Sequence, residues 1–270
     1  MNQRLTIAIR AARAGGKILE KTFEHARRIR SKGKRDIVTD ADYAAEQIVR
    51  KMILEHFPSD HFLSEEDPLK TRHRLWEESE RLDGAYLWIV DPLDGTANYA
   101  HRIPTFSVSI ALYHNRALLM GVVYDPIRNE LFTAERGKGA SLNGAGIRVS
   151  GRAFDNVVVG TEWPRTPKLR SMTTAVLARM INRILAARST GSAALSMCYV
   201  AAARFDLYYH FSLSPWDVAA AAFIVEEAGG RVTTPSNERW RLHSKAYVAS
   251  NGRVHSQAIR YFRDLTNSKI

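Results

Sequence analysis

A short apolar run, Tyr86-Leu87-Trp88-Ile89-Val90, delivers the chain directly onto Asp91-Pro92-Leu93-Asp94-Gly95-Thr96-Ala97-Asn98, and no other stretch restricts the possible folds as much. A β-rich run of this length reads as an interior strand. A proline has no N–H for a sheet ladder, so the strand is expected to stop just beyond Asp91. Gly95 can enter backbone conformations closed to residues with a Cβ, and Thr96-Ala97-Asn98 can open a helical turn whose free N–H groups face back toward the two aspartates. An anion site then lies beside a cation site. The Gly95 and Thr96 N–H groups suit a phosphate, while Asp91 and Asp94, hard and acceptor-only, suit a divalent ion bridging to the same phosphate. Asp-Pro and Asp-Gly are each ordinary turn dipeptides for leaving a strand. Both together, entered from one apolar strand, favour the metal and phosphate reading.

The chain has 270 residues, 45% hydrophobic and 25% charged, enough for one large domain or two modest ones with a real core. The lone cysteine, Cys198, excludes an intramolecular disulfide and sits in an apolar helical run, where a packed thiol is the expected role. No apolar h-region follows the start and no apolar run reaches membrane-spanning length, so a soluble, cytoplasmic protein without a membrane partner is expected. A net charge of +11 is concentrated in the run 27–35 and brings nucleic acid into consideration. That run lacks interleaved aromatics and falls between two helical patterns, which favours a solvated helix end and loop.

Leu5, Ile9, Ala12, Gly16, Leu19 and Phe23 recur at helical spacing over residues 2–25 and predict an amphipathic helix. Ala44, Ile48, Met52 and Leu54 predict a second helix, with Thr39 as N-cap and Asp42 at the N3 position. A capped helix start is also a rigid mount for a carboxylate. Residues 61–64 form a short strand ending in Glu65-Glu66-Asp67-Pro68, so acid again follows an apolar strand, and the charged segment 69–82 looks helical and peripheral. Runs at 106–112, 118–124 and 130–134 read as an antiparallel meander, and the glycine-rich stretch 137–146 as a hairpin, since it lacks phosphate-loop spacing.

After Ser150 strands and helices alternate, which places a boundary between an N-terminal α+β domain (1–150) and a C-terminal α/β domain (151–270). The alternating segments are strand 157–160, helix 169–184, strand 186–189, helix 193–203 and strand 207–211. Ser189-Thr190-Gly191-Ser192-Ala193 puts small residues at a helix start, where a substrate could approach the backbone or helices could pack closely. Pro215-Trp216-Asp217-Val218-Ala219 opens a helix that Gly229-Gly230 ends, with Asp217 in its first turn as cap or as metal ligand.

Taken in order, Asp36-x-Val38-Thr39-x-x-Asp42, Glu65-Glu66, Asp91-Pro92-Leu93-Asp94-Gly95-Thr96, Gly191-Ser192-Ala193 and Trp216-Asp217-Val218-Ala219-Ala220 resemble the inositol monophosphatase family over nearly the whole chain. The resemblance implies an α/β fold layered as an α-β-α-β-α sandwich, commonly a homodimer. It also implies hydrolysis of a small phosphomonoester with two or three Mg2+ ions, and lithium sensitivity. It makes Glu65, Asp91, Asp94 and Asp217 side-chain metal ligands and the Leu93 carbonyl a backbone ligand. Metal-activated water then attacks phosphorus without a protein nucleophile. Thr96 with Asp42 would orient that water, Glu65 joining them as the catalytic set. Leu93, Asp94, Gly95, Thr96, Gly191, Ser192, Ala193, His210 and Asp217 would surround the substrate.

Two positions depart from the pattern. Ser64 replaces a common Gly before the Glu pair. His210 stands where inositol-specific members carry a Glu that accepts sugar hydroxyls. That exchange removes a negative charge and is expected to favour a second anionic group as pH falls through about 6 to 7. The alternatives are therefore a fructose-1,6-bisphosphatase, a 3′-phosphoadenosine 5′-phosphate phosphatase, or, from a different class, a non-catalytic basic nucleic-acid binder.

Overall fold

A computed structural model describes residues 3–24, 29–33, 36–68, 70–71 and 84–263. The expected helical segment 69–82 lies outside the described residues apart from 70–71, as do four positions of the basic run 27–35. Two sheets organise the chain. The first has seven strands, β3 (His61–Ser64), β4 (Tyr86–Asp94), β5 (Ser107–His114), β6 (Ala117–Asp125), β7 (Glu130–Glu135), β8 (Ala140–Leu142) and β9 (Ala145–Ile147), in sequential order. Its β3 and β4 are parallel and the rest is the expected antiparallel meander, ending in the β8-β9 hairpin. The second sheet has order β11-β10-β12-β14-β13, from β10 (Val158–Thr161), β11 (Ala186–Arg188), β12 (Leu207–His210), β13 (Arg231–Thr233) and β14 (Tyr247–Ser250).

Alternation along β4 decides the layers, because successive side chains of a strand point to opposite faces. Trp88 and Val90 face an outer core with Ala8, Ala12 and Leu19 of α1 (Gln3–Phe23) and with Ala45 and Val49 of α2 (Asp40–His56). Leu87 and Ile89 face a middle core. That core holds Leu195 and Met197 of α5 (Ala193–Ala201) and Ala219 and Ile224 of α6 (Pro215–Glu227), and continues to Tyr208 and Ala249 of the second sheet. The far face of the second sheet packs Val159 and Val248 against Met172 and Val176 of α4 (Pro167–Met180) and Ala258 of α7 (His255–Ile259). The result is the expected α-β-α-β-α sandwich. Because α6 lies between two sheets it is apolar all round, as a buried helix must be. Gly121 of β6 makes that packing possible: a Cβ there would sit 2.5 Å from the Ala220 carbonyl oxygen.

Three local expectations change. β4 does not end at Asp91 but runs to Asp94, because the ladder skips Pro92 and Leu93 in a bulge and resumes with Asp94 opposite Ser107. On α2 the buried stripe is Ala41, Ala45, Val49 and Ile53, with Ile48, Met52 and Leu54 flanking it half-buried. Part of the basic run forms β1 (Ile29–Gly33), paired antiparallel with β2 (Asp36–Thr39), in place of a helix end and loop. No helix among the described residues is long and apolar enough to cross a membrane.

Candidate metal and phosphate site

Sheet register assembles the acids. β3 runs parallel to β4 with Ser64 beside Val90, so the next residue of each strand places Glu65 next to Asp91. The Glu65 N–H donates to the Val90 carbonyl at 3.3 Å and fixes that turn. Asp217 arrives from the other side, at N3 of α6. One of its oxygens, Oδ2, accepts the Ser214 N–H at 2.8 Å in a capping box, which leaves Oδ1 for other partners. Carboxylate oxygens of Glu65, Asp91 and Asp217 all lie within 4.8 Å of one another.

This proximity is electrostatically unfavourable without a cation. Burial, then repulsion from Glu65, Asp94 and Asp217, holds the Asp91 carboxyl well above the usual carboxylate range. Burial and Glu65 do the same to Asp217.

Gly95 takes the left-handed conformation, φ 95°, and initiates the short helix α3 (Thr96–Ala100) as expected. Thr96 Oγ1 lies 3.2 Å from Asp42 Oδ1 and 3.0 Å from the Leu93 carbonyl oxygen. Asp42, buried, also accepts the Thr39 N–H at 2.7 Å and the Thr39 hydroxyl at 2.6 Å, so the expected N-cap and N3 residues join in a capping box. Asp42 therefore caps α2 and aims Thr96 in one arrangement. With its hydrogen committed to Asp42 or Leu93, the Thr96 hydroxyl presents lone pairs to any water beside it.

Asp94 stands apart from the three-acid cluster. Its Oδ2 accepts the Ser192 hydroxyl and the Ala194 N–H (3.1 Å), and its Oδ1 accepts the Ala193 N–H (3.2 Å). Asp94 on the first sheet thus caps α5 beneath the second. Burial pushes its carboxyl up to about 7, and the Ser192, Ala194 and Ala193 bonds oppose that rise. Ser192 and Ala193, expected near substrate, are brought to Asp94. Gly191 (φ 80°) fits because a Cβ would meet the Asn98 carboxamide at 2.4 Å.

Most of these residues border one cavity of about 1580 Å3, lined among others by Glu65, Asp91, Leu93, Asp94, Gly95, Thr96, Gly191, Ala193, His210 and Asp217, while Asp42 and Ser192 stand behind that lining. His210 is buried on β12, and its Nδ1 accepts the Ser212 N–H at 3.0 Å. Burial and the nearby Arg165 lower its pKa to about 4. The ring is neutral from pH 6 to 7, so the expected change of preference over that range is corrected: a desolvated imidazole resists charging.

Glu162 and Asn98 were missed by sequence reasoning. Glu162 follows β10 and lines the cavity. It is only 9% exposed, yet accepts five hydrogen bonds, from the Ser189 hydroxyl, the Thr190 N–H and hydroxyl, the Gly191 N–H and the Ser196 hydroxyl. Its signal was an acid just beyond an apolar strand, the same signal that marked Asp91. Asn98 donates to the Thr105 and Thr190 carbonyls, both at 2.7 Å, and ties the two halves together.

Comparisons with known proteins agree with this geometry. The inositol monophosphatase family profile matches residues 1–267. The chain is 40% identical over 267 residues to the Nus factor SuhB of Haemophilus influenzae, covering 97% of each. It is 39% identical over 260 residues to inositol monophosphatase 2 of Solanum lycopersicum, covering 94% of this chain and 96% of that one. Among solved structures, the Thermotoga maritima IMPase superposes with a TM-score of 0.88 at 34% identity, covering 98% of this chain and 99% of the other. With its acids, its capping pair and its layers all in place, the chain belongs to the inositol monophosphatase family.

Proposed function

We propose that the protein is a magnesium-dependent phosphatase of small phosphomonoesters, inositol monophosphate or a related polyol phosphate foremost. The observation that carries this reading is the convergence of half-buried Glu65 and Asp217 with buried Asp91 beside the Thr96–Asp42 pair. Three hard carboxylates that repel one another at one cavity fit a divalent cation. In this reading Glu65, Asp91, Asp94, Asp217 and the Leu93 carbonyl hold the magnesium. The chemistry supplied there is polarisation of the phosphoryl group and neutralisation of its charge.

The chain's own residues do the rest. Thr96 accepts from the attacking water and orients it toward phosphorus. Asp42 fixes the direction of the Thr96 hydroxyl, and the Gly95 and Thr96 amides hold the phosphate at the turn into α3. Residues 1–150 supply most of these groups and residues 151–270 complete the site with Asp217. A homodimer, a cytoplasmic location and lithium inhibition are further expectations of this reading.

Phosphate release from inositol 1-phosphate tests it. Turnover should require Mg2+ and vanish with chelator or in Asp91→Asn. Activity undiminished in excess chelator would refute the metal-dependent reading.

A second reading rests on the names of several bacterial relatives, Nus factor SuhB, together with the net charge of +11: a role in transcription, with RNA or protein partners. Asp91→Asn separates the two, since it removes phosphatase activity and leaves the basic surface intact. RNA binding that weakens steeply with salt and is unchanged in Asp91→Asn would support the second reading.

A further inference from the structure

Three consecutive acids, Glu65, Glu66 and Asp67, follow β3 and line the cavity, and of these Glu65 joins Asp91 and Asp217. Asp67 is committed elsewhere. Its Oδ2 accepts the Ser64 N–H at 2.8 Å, and its Oδ1 accepts from Nη2 of Arg50, on α2, at 2.5 Å. The Asp67 N–H returns to the Ser64 carbonyl at 3.3 Å, so residues 64–67 close a turn that contains Glu65.

Arg50 is itself fixed on three sides. Besides Asp67, its Nε and Nη2 donate to Glu46 Oε1, one helical turn earlier, at 3.0 and 2.7 Å. Its guanidinium also lies over the Phe62 ring of β3, 4.2 Å from the ring centre. These ion pairs are sheltered, the side chains of Arg50, Glu46 and Asp67 being 31%, 12% and 9% exposed. A charge-assisted pair held at both ends keeps one geometry, which an exposed surface pair does not. Lysine is no equivalent, since a point charge lacks the planar fork that reaches two carboxylates while stacking on a ring.

Asp42, Glu46 and Arg50 follow one another at four-residue spacing and share one face of α2. At the start of that face Asp42 fixes Thr96, and two turns on Arg50 grips the turn that carries Glu65. We propose that Arg50 is a positioning residue of the metal site, holding Glu65 in register with Asp91 through the Arg50–Asp67 ion pair. The inference rests on the metal-dependent reading and adds a residue to it. Positioning and plain electrostatics predict opposite signs. By charge alone, deleting a cation near the acids favours a bound cation. A loosened Glu65 turn weakens the hold on that cation, as loss of the groups that orient metal ligands does.

Calorimetric titration with Mg2+ tests this in wild type, Arg50→Met and Arg50→Lys. Methionine keeps an apolar stem on Phe62 and removes both ion pairs. The Mg2+ Kd should rise roughly 10- to 100-fold in Arg50→Met, and kcat at saturating Mg2+ should fall by a smaller factor. Arg50→Lys should recover only part of the loss. Asp67→Asn should weaken binding too, and combining it with Arg50→Met should add little, because both break the same ion pair. An unchanged or lower Kd in Arg50→Met overturns the proposal, as does a fully additive double variant. If wild type binds no Mg2+, the metal-dependent reading fails by itself. Amide hydrogen exchange of chelator-treated protein then decides the rest: faster exchange at Ser64 and Glu65 in Arg50→Met sustains the hold of Arg50 on the turn, and equal exchange removes it.

Discussion

Glu162→Gln separates a positioning carboxylate from one that merely fills space. Glu162 Oε1 accepts from the Thr190 N–H, the Thr190 hydroxyl and the Ser196 hydroxyl, and Oε2 accepts from the Ser189 hydroxyl and the Gly191 N–H. Each oxygen therefore faces one backbone N–H, a group that can only donate. A glutamine must turn its NH2 toward Thr190 or toward Gly191, and in either orientation one backbone N–H, that of half-buried Thr190 or of exposed Gly191, loses its acceptor. Protonation differs, because a carboxylic acid can direct its hydrogen at a serine or threonine hydroxyl while the same oxygen still accepts the amide. Burial raises the Glu162 pKa, so the neutral acid is less disfavoured than in water, whereas the bond lost in the Gln variant is lost at every pH. Losing one hydrogen bond from a donor that is not fully buried costs about 0.5–1.5 kcal/mol. Urea denaturation at pH 7 should show that loss with an unchanged m value. Because the next residues, Ser192 to Ala194, donate to Asp94, kcat should fall with it and the Mg2+ needed for half activity should rise. A Gln variant matching wild type in stability, kcat and Mg2+ requirement would refute the reasoning.

Asp91→Asn should lower kcat at least ~100-fold, the smaller end of what removing a charge-stabilising group costs. It should leave chelator-treated protein no less stable by thermal unfolding, since it relieves repulsion while Asn can still accept the Leu93 N–H; a lower Tm would contradict that electrostatic account. Folded-state pKa values raised above the unfolded ones mean that Asp91, Asp94 and Asp217 cost chelator-treated protein stability as pH rises through them, for Asp94 between its ordinary 3.8 and about 7. The stabilisation by Mg2+ should therefore grow with pH over that window and release protons, seen as buffer-dependent calorimetric enthalpies; a pH-independent increment would count against it. Thr96→Ala should reduce kcat more than it raises KM, because in the proposed mechanism Thr96 aims water without holding charge; an unchanged kcat would leave Asp42 as a cap alone. Gly121→Ala should cost about 1–3 kcal/mol by overpacking, since its Cβ would meet the Ala220 carbonyl at 2.5 Å; an unchanged Tm would show that β6 and α6 can part.

The parts legible in the sequence were those written in local chemistry. Thr39 with Asp42, Asp217 at a helix start and Gly95 before α3 are caps and turns, fixed by neighbours within four residues. The meander was legible because its turns are short and its strands alternate. What escaped depended on partners far along the chain. The bulge at Pro92-Leu93 exists because β5 supplies Ser107 opposite Asp94. Glu162 acquires its meaning from a loop 27 to 34 residues later. The depressed His210 pKa reflects burial and Arg165, neither of which a reference imidazole value contains.

Asp94 shows why that long-range layer matters to the chemistry. It leaves the first sheet one residue before Gly95, yet its oxygens are held by the start of α5, which Glu162 grips from the second sheet through Thr190 and Gly191. Asn98, bonded to the Thr105 and Thr190 carbonyls, closes the same connection from α3. The distance between the Asp91 end of β4 and the cavity wall supplied by the second sheet is therefore set by one loop with a carboxylate on either side. Neither carboxylate could be replaced by an amide without leaving a backbone donor at risk, for Asp94 as for Glu162, since Asp94 also meets an N–H on each oxygen. Two acids that sequence chemistry alone would assign to a metal or to solvent thus act first as the acceptors that hold the two halves of the site in register.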